Sequence, residues 1–125
     1  VFDDPASGQT LCRPLGGGIE FGEPGRDAIA REIREELDQP ISDVRLLGTL
    51  ESLFTYAGTP GHEIVQVYDA RFDDASLYQQ AWLNGHESNG SPFRARWCDS
   101  ADFDRIGPLV PEGLQALLRD LSLLA

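Results

Sequence analysis

Three consecutive glycines, Gly16-Gly17-Gly18, with Gly22 and Gly25 close behind, place backbone that can turn tightly directly ahead of an amphipathic helix. The spacing predicts that helix over residues 28–37. Pro24 suits a first helical turn, and Asp38 and Pro40 stop the run. At about 100° per residue, Ile29, Ile33 and Leu37 share one packing face, with Ala30 at its margin. Glu32, Glu35 and Glu36 are related by i,i+3 and i,i+4, so their carboxylates converge on the adjacent stripe. Arg31, four residues before Glu35, is placed to hold that side chain in one orientation.

Like charges at this spacing repel by a few tenths of a kcal/mol per pair, in a chain of net charge −11. Two readings account for them. One is a solvated acidic helix face. The other is a cation site, since three hard oxygen ligands on one rigid helix suit Mg²⁺ or Mn²⁺. The glycines, and a further carboxylate at Glu23 between them and the helix, favour the second, because such loops let backbone approach a phosphate or an ion. An acidic protein repels a polyphosphate; a divalent ion reverses the local sign.

Composition removes several classes. The 125 residues suit one domain spanning 1–125, and 41% apolar content supports a packed core. The acidic balance argues against a nucleic acid polymer as partner. All ten basic residues are Arg, and having no Lys excludes a Walker-type phosphate loop and a Schiff-base lysine. Exclusive use of Arg also points to a GC-rich bacterial genome. No apolar run approaches the length of a membrane span. Cys12 and Cys98 make neither a disulfide framework nor a CxxC site, which fits reduced thiols in a cytoplasmic protein.

Along the chain, Val1 and Phe2 read as the end of a strand followed by a turn, and residues 10–14 as a short strand. Three β-like stretches follow the helix, over 44–54, 63–72 and 93–98, with a polar loop over 84–91 that holds His86 and Glu87. Leu114, Leu117, Leu118 and Leu121 recur at helical spacing. That helix packs on its own core or forms the face of a homodimer. Mixed strands and helices imply an α/β or α+β sandwich.

Gly17, five residues, Glu23, seven residues, then Arg31-Glu32-Ile33-Arg34-Glu35-Glu36 resembles the box of the Nudix hydrolase family, GX5EX7REUXEEXGU, here spanning 17–39. Every charged position matches. Asp38 stands where the family has glycine and Gln39 where it has an aliphatic residue, with Ile41 available to fill the aliphatic position. The glycine ends the helix in a left-handed conformation, which Asp tolerates at about 1 kcal/mol or less. The flanks 13–23 and 61–65, and the exit Arg96-Trp97-Cys98-Asp99, are similar to bacterial members.

The resemblance implies an α/β/α sandwich around a mixed β-sheet, with an early strand ahead of the box that this sequence lacks. It implies Mg-dependent cleavage of the pyrophosphate linkage in a nucleoside diphosphate joined to another moiety, by water attack at phosphorus, on a small-molecule nucleotide. Carried over, Glu32, Glu35 and Glu36 ligate Mg²⁺ (or Mn²⁺), and Gly16 offers a carbonyl. Arg31 orients the box carboxylates and Glu23 supports the loop. The general base is Glu32, or a carboxylate from elsewhere, for which Glu63 and Glu87 are candidates. His62 and His86 read as bystanders.

Recognition lies outside the box. Phe54, Tyr56, Tyr68, Trp82 and Phe93 are rings that could stack a base, and Arg71, Arg94 and Arg96 could hold a phosphate. Arg71, Tyr56 and the loop carboxylate Glu23 are the first substrate-binding candidates. The rival function is a Nudix-like nucleotide-binding or sensor module without turnover, toward which only Asp38 and Gln39 lean.

Overall fold

The computed structural model describes residues 2–3 and 10–124; Val1 and the turn expected after Asp3 lie outside the described residues. The elements run β1 (Phe2–Asp3), β2 (Thr10–Leu11), α1 (Gly25–Leu37), β3 (Ile41–Tyr56), β4 (Thr59–Phe72), a 3₁₀ turn (Ala75–Gln79), β5 (Trp82–His86), β6 (Pro92–Arg96), α2 (Ser100–Arg105) and α3 (Leu114–Asp120). The strands pair as β1–β2, β3–β4 and β5–β6. A parallel bridge between Cys12 and Leu109 adds the one other strand-like contact among the described residues. This mixture of helices with paired strands is the α/β class expected from the sequence.

Two compact units emerge. One comprises the chain up to Pro14, Leu47–Val67 and the residues from Cys98 onward; the other comprises Leu15–Leu46 and Tyr68–Trp97.

The second unit carries α1. Ile33, Leu37, Leu77 and Leu83 form its core, with Leu15, Ile29, Ile41, Phe72, Phe93 and Ala95 packed against them. Each fully buried aliphatic side chain contributes roughly 1.5–3 kcal/mol by removal from water. The helix starts at Gly25, earlier than periodicity indicates, because Pro24 is its extended N-cap (φ −62°, ψ 146°) and already accepts from the Asp27 and Ala28 amides. It ends as its pattern demands. Asp38 adopts the left-handed conformation (φ 55°, ψ 41°) and donates its N–H to the Arg34 carbonyl at 2.9 Å.

Two readings of this region need correction. The polar loop expected over 84–91 is strand over 84–86, since β5 pairs antiparallel with β6, Trp82 opposite Arg96 and Gly85 opposite Phe93. Its pattern was hidden by Gly85. A methyl group there would meet the Phe93 ring and the Glu36 carbonyl, so glycine is what lets α1 lie directly on the hairpin. The strand expected over 93–98 stops at Arg96. Trp97 leaves it to stack on Tyr78 (centroids 5.0 Å apart, 24° between planes) and donates its indole N–H to the Leu77 carbonyl at 3.2 Å. Phe72 meets both rings edge-on.

In the first unit, β3 turns into β4 through Ala57 and Gly58, both at positive φ (51° and 81°), the two-residue turn whose twist suits a hairpin. Cys12 is buried; its N–H reaches the Pro108 carbonyl at 2.9 Å and its carbonyl accepts from Val110 at 2.8 Å. Leu114 opens α3 fully buried, and Leu117 lies against Gly48, where there is room for no larger residue without a shift. Periodicity missed α2, which is closed by a reciprocal capping box between Asp99 and Asp102. Neither cysteine is in a disulfide. Among the described residues, no helix is long and apolar enough to cross a membrane.

Candidate functional site

The centre of the candidate site is a cation supplied by the chain itself. Arg31, in the second turn of α1, spends its whole guanidinium on the glycine loop and the helix. Nε and Nη2 form a bidentate fork on Glu23, at 2.8 and 3.0 Å. Nη2 also donates to the Gly18 carbonyl at 3.0 Å. Nη1 reaches Glu32 at 3.1 Å and both oxygens of Glu35 at 3.2 and 3.3 Å. Glu23 takes a further donor from the Glu20 amide, across a turn closed by the Glu23 N–H on the Glu20 carbonyl. Loop and helix are thereby fixed to one another.

Electrostatics follow from the contacts. The Arg31 fork, helped by the Glu20 amide, holds the Glu23 carboxyl below its ordinary range, against a smaller opposing effect of burial. Glu23 in turn raises Arg31, with Glu35 and Glu32 adding to it. Glu32 is three-quarters or more covered, and Gly17 lies so close that an added Cβ would fall on the Glu32 carboxyl. A side chain at Gly17 would therefore have to displace the Glu32 carboxyl. Gly16 sits beside Ile29, where a Cβ would make ordinary contact. Glu36 is half-buried, with its backbone carbonyl turned to Gly85.

The donor chemistry suits a divalent cation. Two hard carboxylates, Glu32 and Glu35, already converge on one cationic nitrogen, and Glu36 follows on the same helix. Among the described residues, no three Asp, Glu, His or Cys side chains close into a metal cluster, and Glu32 and Glu35 are both paired with Arg31.

The NUDIX domain pattern matches residues 3–119 of this sequence. The chain belongs to the Nudix family. Among curated proteins it is similar to the NAD-capped RNA hydrolase NudC of three Mycobacterium tuberculosis strains, 28% identical over 96 residues. The match covers 75% of this chain and 31% of the relative, so the chain spans about a third of the length of the curated relatives it matches. No solved structure matches it significantly. The chemistry to be sought is therefore that of a Nudix-type hydrolase.

Of the residues expected at the site, Glu23, Glu32 and Glu35 each contact Arg31. Other candidates are placed differently. Arg71 is exposed and paired with Asp43 at 2.6 Å. Tyr56 and Glu63 lie in the hairpin segment of the first unit, both exposed. In the same unit His62 faces Glu51 across the hairpin, 2.9 Å away. Glu87 closes the β5–β6 turn, its N–H on the Ser91 carbonyl at 2.8 Å. The role of the Gly18 carbonyl as a seat for Arg31 was not read from the sequence; backbone acceptors carry no sequence signal.

Proposed function

We propose that this chain hydrolyses the pyrophosphate linkage of a nucleoside diphosphate joined to a second moiety, with Glu32, Glu35 and Glu36 and the Gly16 carbonyl holding Mg²⁺ or Mn²⁺. The observation that carries the reading is the Arg31 clamp on Glu23, Glu32, Glu35 and the Gly18 carbonyl. A solvated acidic face needs no such bracing; a site that must present carboxylates in fixed positions does. When bound, the cation neutralises the pyrophosphate and lowers the pKa of the attacking water. The remaining work falls to the chain. Arg31 fixes two ligands before substrate arrives, Glu23 fixes Arg31, and the glycine loop brings backbone to the phosphates. Glu32 or Glu63 takes the proton from water, and Arg71 and Tyr56 contact the substrate. The protein works in the cytoplasm.

The rival sensor reading loses its main support at Asp38. That residue adopts the left-handed cap that the family's glycine supplies, so the box helix ends where it should. The NAD-capped RNA hydrolase makes a dinucleotide pyrophosphate the first substrate to try.

The test is nucleotide or phosphate release from NAD⁺, nucleotide sugars, dinucleoside polyphosphates and nucleoside triphosphates, with Mg²⁺, with Mn²⁺ and with EDTA. Turnover that needs the metal and falls about 10³-fold in Glu36→Gln supports the reading. Nucleotide binding without turnover across the panel overturns it in favour of the sensor.

A further inference from the structure

Leu53 and Ile64, on the β3–β4 hairpin, are the two most exposed aliphatic side chains among the described residues, at 70% and 63%. Alternation along a strand puts Glu51 and Leu53 on one face of β3, and His62 and Ile64 on one face of β4. His62 Nε2 lies 2.9 Å from the Glu51 carboxylate, so the four side chains share a single face. Counted back from the two-residue turn, Leu53 falls opposite His62 and Glu51 opposite Ile64. A Cβ on Gly61 would meet the Phe54 ring, which agrees with that count. The four residues therefore form a square, with the polar pair on one diagonal and the apolar pair on the other. Tyr56 and Glu63 belong to the opposite face.

All four side chains of the square are exposed. β3 and β4 pair only with each other among the described residues, and a lone two-stranded hairpin is marginal in water. Residues 52–61 hold no charged side chain, in a chain that is a quarter charged and carries −11. Two copies of so acidic a chain repel over most of their surface. The neutral end of the hairpin is where they approach without like charges meeting. The square is also complementary to itself. A two-fold axis along the Leu53–Ile64 diagonal sets Leu53 against its own counterpart, Ile64 against its counterpart, and Glu51 against His62 of the second copy. An axis along the other diagonal would stack Glu51 on Glu51, so charge selects the first.

We infer that a second copy of this chain packs on this face, with the two β3–β4 hairpins related by a two-fold along the Leu53–Ile64 diagonal. With strands about 4.8 Å apart and successive residues of one face about 6.8 Å apart, the hairpins cross at about 70°. Standard interfaces engage about 20–30 residues a side; this face offers fewer, which sets association in the micromolar range. The dimer leaves Tyr56 and Glu63 on the free face and does not depend on the hydrolase reading.

Sedimentation equilibrium of the parent from about 1 to 500 µM should show a reversible monomer–dimer equilibrium. Leu53→Asp sets two carboxylates against each other on the axis and weakens association at least tenfold, with folding checked by circular dichroism. His62→Glu faces glutamates across the axis and weakens it at least fivefold. Combining it with Glu51→His restores the parental association to within twofold. Leu53→Cys forms a covalent dimer under copper phenanthroline at least tenfold faster than Thr59→Cys on the opposite face. The inference fails if the parent stays monomeric over the whole range, or if Leu53→Asp associates as the parent does. A dimer broken by Leu121→Asp at the end of α3 and untouched by Leu53→Asp overturns it equally, moving the interface to the leucine helix.

Discussion

Replacing Gly85 by alanine tests the contact on which the position of the box helix depends. A methyl group there would lie 2.6 Å from the Glu36 carbonyl oxygen and 2.5 and 2.6 Å from two Phe93 ring carbons. Comfortable carbon contacts run to about 3.5–4.0 Å, so the overlap is about 1 Å. The Phe93 ring can rotate aside. The Glu36 carbonyl is fixed in the backbone of α1, so relief requires the helix to lift from β5. Overpacking of this kind costs about 1–3 kcal/mol. For 125 residues the unfolding entropy is about 260 cal/mol/K, which converts that cost to a fall in Tm of about 4–11 °C. Gly18→Ala is the matched control. Nothing lies within 4 Å of its would-be methyl, so loss of unfolded-state freedom should stabilise the protein by about 0.4–1 kcal/mol. Differential scanning calorimetry of both variants decides. A Gly85→Ala protein that melts within about 1 °C of the parent would refute the close seat of α1 on the hairpin.

Three other outcomes are expected. Asp38→Gly relieves a left-handed non-glycine residue and should raise stability by about 0.5–1 kcal/mol in urea titrations, with the helix end unchanged. The Asp74 carboxylate caps the 3₁₀ turn by accepting from the Ser76 hydroxyl and N–H, which hold it below the usual aspartate value. A depressed acid contributes stability above its unfolded pKa, about 3.9, and loses it as pH falls through the folded value, so NMR should find a midpoint below about 3.9 that rises in Ser76→Ala. Arg31→Lys loses the fork on Glu23; the Glu23 titration should climb toward the ordinary glutamate range, and kcat/KM should fall by about two orders of magnitude or more. An Arg31→Lys enzyme with parental kcat/KM would show that the clamp does not position the box carboxylates.

What the sequence made legible is what local physics writes into it. The 3.6-residue period of Ile29, Ile33 and Leu37 located α1, and Ile33 and Leu37 are indeed in the core it builds. The i,i+4 spacing gave the Arg31–Glu35 contact, whereas the Arg31 fork on Glu23 carries no such local signal. Long β-branched runs located β3 and β4, short at the ends that meet the Ala57-Gly58 turn and, for β3, also at its start, Ile41. The losses have a common cause. Residues 84–86 look like loop because Asn84, Gly85 and His86 are poor strand formers, yet they pair with β6, and Gly85 lies against the Glu36 carbonyl where a side chain would not fit. That requirement is tertiary and leaves no period in the sequence. α2 was missed for the opposite reason: six residues are too few for a period, although Asp99 and Asp102 spelled out its capping box.

The same distinction explains how Arg31 and Arg94, chemically identical, come to opposite ends. Arg31 lies where three carboxylates and a carbonyl are fixed within reach by helix geometry and a glycine turn, so its charge is consumed internally and its side chain becomes a brace. Arg94 lies on a strand opposite Asn84, with its guanidinium over the Trp82 ring and no carboxylate partner among the described residues. A brace belongs to a site that must be rigid before its ligand arrives. Removing Arg31 should therefore disturb the box carboxylates with no ligand present, seen as a rise in the Glu23 titration. Removing Arg94, an exposed side chain, should leave the protein's stability within about 0.5 kcal/mol.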